Sequence, residues 1–241
     1  MSTMVAAGRR HLPRGWADLG RQLAIWFGFF VLYQLVRGFA DRNPSKAFAN
    51  GLAVVNFETR VTHRLYELTF QNFVDQRHLL ETAVSWTYWL SEFAVVGIAV
   101  LWVYVRRHED FNRFRNSILI ANTIGLVGYF IMPTAPPRLL GVGFVNTHRD
   151  GLVTLAANPY AAMPSLHAAD ALIVGIVLFT LARSLWAKLV WAIWPAWVWF
   201  AVMATGNHFW LDCIAGIAVA LLTMAGVYHE PIRRTLAARR A

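Results

Sequence analysis

The sequence predicts an all-α integral membrane protein, a six-helix bundle with an additional amphipathic, extracytoplasmic helical segment between spans one and two. Three observations lead there. Hydrophobic residues make up 57% of the chain and charged residues 15%, whereas soluble domains carry about 25% charged residues, so lipid is the expected solvent. Apolar stretches of about 20 residues, read as free of interior charge, recur along the chain, and that length crosses a bilayer core. Most of the basic residues behind the net charge of +9 flank those stretches. Such flanks follow membrane topology rather than a nucleic-acid surface, and no nucleic-acid partner is expected.

In chain order, residues 1–21 hold Arg9, Arg10, Arg14 and Arg21 without a small-residue cleavage site, and read as a retained cytoplasmic tail. The six spans fall at about 22–40, 82–105, 117–133, 167–182, 189–205 and 209–228. Residues 42–81, between the first two, place apolar side chains at helical spacing among Glu58, Arg60, His63, Arg64 and Glu67. This is the pattern of one or two helices lying on the outer surface, a lid or scaffold with solvated charges. Residues 229–241 form a second cytoplasmic tail, and 1–241 is one multi-pass domain with no internal repeat. The single cysteine, Cys213, permits no disulfide within the chain.

Arg106, Arg107, Arg113, Arg115, Arg183, Lys188, Arg233, Arg234, Arg239 and Arg240 fall on the same side as the N-terminal arginines, and only Arg138 and Arg149 lie in the short loops opposite. An excess of Lys and Arg marks the cytoplasmic side, so both termini are expected inside a cell (plasma) membrane.

The opposite side gathers the chemistry. "MPTAPPRLLGVGF", "MPSLH" and "TGNHFWLD" all open there, and together supply Arg138, Ser165, His167, Asp170, His208 and Asp212. His208 and Asp212 are four residues apart, on one helical face, where a carboxylate fixes the imidazole tautomer and leaves the other nitrogen as nucleophile or base. Pro164 and Ser165 mark a helix start, whose free N–H groups attract an anion such as phosphate, and His167 in the first turn is placed to give a proton to a leaving oxygen. Arg138 follows two prolines that restrict its loop, a setting for contact with phosphate oxygens. Each feature alone has a structural explanation: a span-end His or Arg anchors at headgroups, and a Ser caps a helix. Their coincidence on one side favours a phosphoryl-transfer site, because ionisable groups at membrane depth are costly.

At these residues the chain resembles the type-2 phosphatidic acid phosphatase superfamily, and more narrowly its inositol-phosphotransferase-like branch, which includes the catalytic subunit of inositol phosphorylceramide synthase. "PTAPPRLL", "MPSLH" and "GNHFWLD" carry the likeness over about residues 130–216. The resemblance implies a metal-independent lipid phosphatase or phosphotransferase without cofactor, acting on a lipid phosphate among membrane lipids. In it His208 attacks phosphorus and carries a phosphohistidine, Asp212 orients His208, His167 protonates the leaving group, and Arg138 and Ser165 hold phosphate oxygens. The chain departs from the broader pattern at Ile131, Leu166, Ala201 and Val202, where the superfamily has Lys, Gly, Ser and Arg. Two cations are thus replaced, and Arg60, Arg64 or Asn207 are candidates to complete the cradle. Asp170, three residues after His167, is read as charge complementarity at a helix start in preference to an orienter of that imidazole.

Two other enzymes and a transporter fit parts of the same set. His167, His208 and Asp212 are a plausible metal-ligand set, although Arg138 opposes a cation. Ser165 as a protease nucleophile lacks the Gly-rich setting that would expose it. A transporter places its ionisable groups near the midplane rather than at one interface.

Overall fold

The computed structural model describes residues 12–40, 43–144 and 160–238; of the side chains of residues 37–40 and 230–238 only the backbone course is described. Arg9, Arg10, Arg149, Arg239 and Arg240 lie outside the described residues. The chain runs through α1 (Gly15–Ala40), α2 (Pro44–Thr62), α3 (Tyr66–Asp75), α4 (His78–Leu90), a π turn (Ser91–Val95), α5 (Val96–Arg106), α6 (His108–Ile131), a 3-10 turn (Pro137–Leu139), α7 (Leu166–Leu181), α8 (Leu185–Ala204) and α9 (Trp210–Ala238). No strand occurs among the described residues; one isolated parallel bridge joins Thr134 to Ala161.

Among the described residues, five helices are long and apolar enough to cross a membrane: Gly15–Val36, His78–Arg106, His108–Ile131, Leu185–Ala204 and Trp210–His229. The expected fourth span is α7, which has 16 residues. At 1.5 Å per residue it is about 24 Å long, shorter than a bilayer core of roughly 30 Å. Two expectations are corrected. Arg113 and Arg115 lie in the first turns of α6 rather than in a loop, because His108, Glu109 and Asp110 start that helix early and the acidic pair suits its N-terminus. The spans are also not free of interior charge: Glu92 sits in the middle of the second, in the π turn, and Asp170 lies inside α7.

α7 is the axis of the bundle. Eleven of its 16 residues are buried, and it packs against α6, α8, α9 and the π turn. Small residues let the neighbours close in. A Cβ on Gly175 would meet Pro195 of α8 at 2.7 Å, one on Gly125 of α6 would meet Leu166 at 2.5 Å, and one on Gly216 of α9 would run into the Ser165 carbonyl. The helix ends are satisfied locally: Ser165 Oγ accepts from Ala168 N–H, Ser184 Oγ from Ala187 N–H, and Asn43 Oδ1 from Lys46 N–H ahead of Pro44.

α1 is the outermost helix, with almost all of its span exposed to surroundings. At the basic end it is docked by polar contacts: Tyr104 O–H donates to Asp18 at 3.0 Å and the Arg115 guanidinium to Gln22 at 2.6 Å.

At the other end, α2 and α3 fold over the loops that join the long helices. Lys46 Nζ donates to the Ile131 carbonyl at 3.0 Å, Asn50 Nδ2 to the Pro133 carbonyl at 2.7 Å, and Ala135 N–H to the Ala47 carbonyl. The expectation that the charges of this segment are solvated is overturned for two of them. Glu58 and Glu67 have no exposed surface; Glu58 Oε1 accepts from Leu211 N–H at 3.0 Å and Glu67 Oε1 from Trp210 N–H at 2.5 Å. Two of the N-terminal N–H donors of α9, which a helix leaves open, are thus closed by carboxyl groups from another part of the chain.

Burial, with the Glu67 carboxyl next, pushes Glu58 up to about 9, and burial likewise raises Glu67. Glu58 therefore keeps its proton in the fold at neutral pH and loses it in the unfolded chain. The stability it contributes is complete below the ordinary carboxyl pKa and is lost as pH rises through the folded value. The melting temperature in detergent is expected to fall between about pH 5 and about pH 9 by this route. Glu58→Gln, neutral at every pH, should flatten that slope; an unchanged slope would exclude the pair as its source.

Candidate active site

Three segments far apart in sequence are joined main chain to main chain at the end of the bundle covered by α2 and α3. Thr134 N–H donates to the Tyr160 carbonyl at 2.8 Å, and Ala162 N–H to the Thr134 carbonyl at 3.1 Å. Arg138 N–H donates to the Gly206 carbonyl, and Ser165 N–H to the Asp212 carbonyl, each at 3.0 Å. Gly206 has φ +65, a left-handed conformation that glycine adopts without strain. A Cβ there would also press on Arg138 at 3.3 Å, so the approach of these two loops requires glycine. Tyr129 O–H, donating to the Pro164 carbonyl at 3.0 Å, fixes the third segment to α6.

This stitching brings the two imidazoles together. The rings of His167 and His208 have centroids 5.5 Å apart and are tilted by 58°, a gap that one phosphoryl group spans. Both are buried, as are Ser165, Asn207 and Asp212.

His208 Nδ1 lies 2.9 Å from the Ala162 carbonyl and 3.5 Å from Asp212 Oδ2. A carbonyl only accepts, so Nδ1 carries the hydrogen and Nε2 keeps its lone pair. The orienting task that sequence reasoning gave to Asp212 is therefore shared with a backbone oxygen, the nearer of the two. Asp212 Oδ2 also accepts from Phe209 N–H at 2.9 Å, which ties the carboxylate to the turn that holds His208.

His167 stacks on Tyr88, centroids 4.6 Å apart and planes 16° from parallel. Its Nε2 lies 3.2 Å from Glu92 Oε2. Sequence reasoning missed Glu92; the signal was a lone carboxylate inside an apolar span, "WLSEFAVV", which is costly unless it has a partner. The π turn that carries it is a local widening often found at functional positions. Asp170 is not the partner of His167: both its oxygens accept from Asn122 Nδ2, at 2.9 and 3.0 Å.

Arg138 Nε donates to Asn207 Oδ1 at 2.8 Å, and Asn207 Nδ2 donates to Thr205 Oγ1 at 2.8 Å. Asn207 thus aims the guanidinium, whose pKa burial lowers from the ordinary Arg value. Ser165 is the N-cap of α7, its Oγ accepting from Ala168 N–H, which leaves the hydroxyl hydrogen for another acceptor. Arg60 and Arg64 do not join the cluster: both are exposed, and the Arg64 guanidinium lies over the Tyr66 ring.

The family model described as the PAP2 superfamily matches residues 52–226, a stretch that holds all the site residues named above. The chain is 28% identical over 141 residues to a phosphoinositol dihydroceramide synthase of Bacteroides thetaiotaomicron, covering 49% of this chain and 46% of that protein. It thus spans about half the length of the curated relative it matches. In fold it is similar to the crystal structure of Aquifex aeolicus LpxE, with a TM-score of 0.55 and 17% identity over 67% of this chain and 93% of that one. With most of its length matched by the family model, the chain belongs to the PAP2 superfamily.

Proposed function

We propose that this protein is a membrane-integral, metal-independent lipid phosphatase or phosphotransferase working through a phosphohistidine. The observation that carries the reading is the pair of buried imidazoles 5.5 Å apart, one held by a carbonyl so that its free nitrogen can attack, the other paired with a carboxylate. Family membership supports the same chemistry.

The steps follow from the groups present. His208 Nε2 forms a bond to phosphorus as the bond from phosphorus to the lipid oxygen breaks, and His167 gives that oxygen a proton. In the second step an oxygen nucleophile loses its proton to His167 and bonds to phosphorus; the P–N bond breaks and His208 is restored. Arg138, aimed by Asn207, with the start of α7 and the Ser165 hydroxyl, neutralises the charge on the phosphoryl oxygens. Asp212 and the Ala162 carbonyl stabilise the positive charge that His208 gains on attack, and Glu92 holds His167.

The membrane arrangement follows from the same chemistry. α7 serves as a sixth, short span, so that its N-terminus and His167 are recessed beneath the α2–α3 cover. The basic ends, with Arg106, Arg107 and Arg183, lie in the cytoplasm by the positive-inside rule, and the site opens on the outer face of the plasma membrane. Both termini are then cytoplasmic. A second reading, transfer of an inositol-phosphate or other headgroup between lipids, is favoured by the name of the Bacteroides relative; it uses the same two steps with a lipid hydroxyl in place of water.

His208→Ala should lower phosphate release from a lipid phosphate by about 10³-fold or more with an unchanged melting temperature; turnover persisting in that variant would end the mechanism. Vanadate is expected to inhibit and a chelator to have no effect. Rapid quenching of wild-type protein with ³²P-labelled substrate should trap an acid-labile, base-stable phosphoprotein that His208→Ala lacks. Glu92→Gln, which weakens the hold on His167, is expected to lower kcat by about 10²-fold with little change in KM. An equal loss confined to KM would assign Glu92 to substrate binding instead.

A further inference from the structure

A cavity of about 500 Å³ lies between α1 and the rest of the bundle, within the size range of small-molecule sites. Trp26 and Phe30 of α1 line one side, Gly97 and Val100 of α5 the other. Because α1 is the least buried helix, hydrocarbon reaches the cavity from the bilayer around it.

Gln22, Glu92, Asn122 and Asp170 are polar side chains in this largely apolar wall. Asn122 and Asp170 satisfy each other. Glu92 does not join them; it lines the cavity, and its Oε2 sits 3.2 Å from His167 Nε2. One residue of the cavity wall, Glu92, thus lies against the imidazole of the proposed proton transfer.

In an in-line exchange at phosphorus, the group that leaves and the group that later attacks take the same apex, opposite the nucleophile. One imidazole then serves both as acid and as base. That apex is on the His167 side, toward Glu92 and the cavity, while the charged phosphoryl oxygens stay with Arg138.

We propose that this cavity binds the hydrocarbon body of a long-chain lipid alcohol, whose oxygen meets His167 beside Glu92. The inference rests on the phosphoryl-transfer reading of the site and adds where the neutral half of the lipid is held: beneath α1, rather than loose in the surrounding bilayer.

The test fills the cavity. A Cβ on Gly97 meets no heavy atom within 4 Å, so in Gly97→Phe the ring enters the cavity without displacing backbone. Gly28→Phe, on α1 at an equally open position outside the cavity wall, is the control. The full chain in phosphatidylcholine nanodiscs is assayed with dioleoyl and with dibutyryl phosphatidic acid. Gly97→Phe should lower kcat/KM for the dioleoyl substrate by about tenfold or more and that for the dibutyryl substrate by less than about twofold, with Gly28→Phe changing neither. Equal losses on both substrates, or none, would overturn the proposal. A second measurement does not require turnover: a diazirine-bearing long-chain diacylglycerol, photolysed with wild-type protein, should label peptides containing Trp26 and Val100, and Gly97→Phe should suppress that labelling. Labelling only of lipid-facing positions outside the cavity would also overturn it. If wild-type protein hydrolyses neither phosphatidic acid, that fault lies with the functional reading, and the labelling alone decides whether the cavity holds the lipid.

Discussion

The site depends on the main-chain hydrogen bonds between three loops: Thr134 with Tyr160 and Ala162, Arg138 with Gly206, and Ser165 with Asp212. Each joins segments dozens of residues apart at a depth where water is scarce. A backbone group left without a partner there is expensive, so the loops are not free to separate. This constraint, more than any side-chain contact, sets the 5.5 Å between the two imidazoles. It also explains why Gly206 sits beside Arg138, since the loops approach too closely for a Cβ.

A second layer of control comes from acids removed from water. Glu58 and Glu67, on the covering helices, occupy the start of α9 one and two residues beyond Phe209, so the segment outside the bundle holds the turn that carries His208. Glu92 does the equivalent for His167 from within the bundle, and Asp170 ties α7 to α6 through Asn122. A carboxyl group so placed is tolerated only with partners, and here the partners are the elements whose positions matter to the chemistry. The covering helices are therefore packed into the structure around the proposed site, not a solvated lid.

Part of this was legible in the sequence. Apolar length and flanking arginines reveal the long helices because these depend on composition and spacing alone. The signature residues His167, His208, Asp212 and Arg138 were legible as a set because their chemistry is carried by side-chain type and local spacing. Asp170 was misread, since its partner Asn122 is 48 residues away in another helix, and Glu92 went unread because a single carboxylate in an apolar run looks locally like an interruption. The Ala162 carbonyl has no signal at all: every residue but its position in space offers the same oxygen.

By itself, then, the sequence determined an all-helical membrane chain, the end at which its ionisable groups collect, and the residue types available for phosphoryl transfer. Hydrophobic length, charge asymmetry and i, i+4 spacing are one-dimensional quantities, and a linear pattern expresses them fully. Only the tertiary structure decided which nitrogen of His208 is free, which acid lies against His167, that Glu58 and Glu67 are buried against α9, and that the same acid, Glu92, lines a cavity beneath α1. Those depend on distances of a few ångströms between segments distant in the chain, and such distances exist only once the helices have packed.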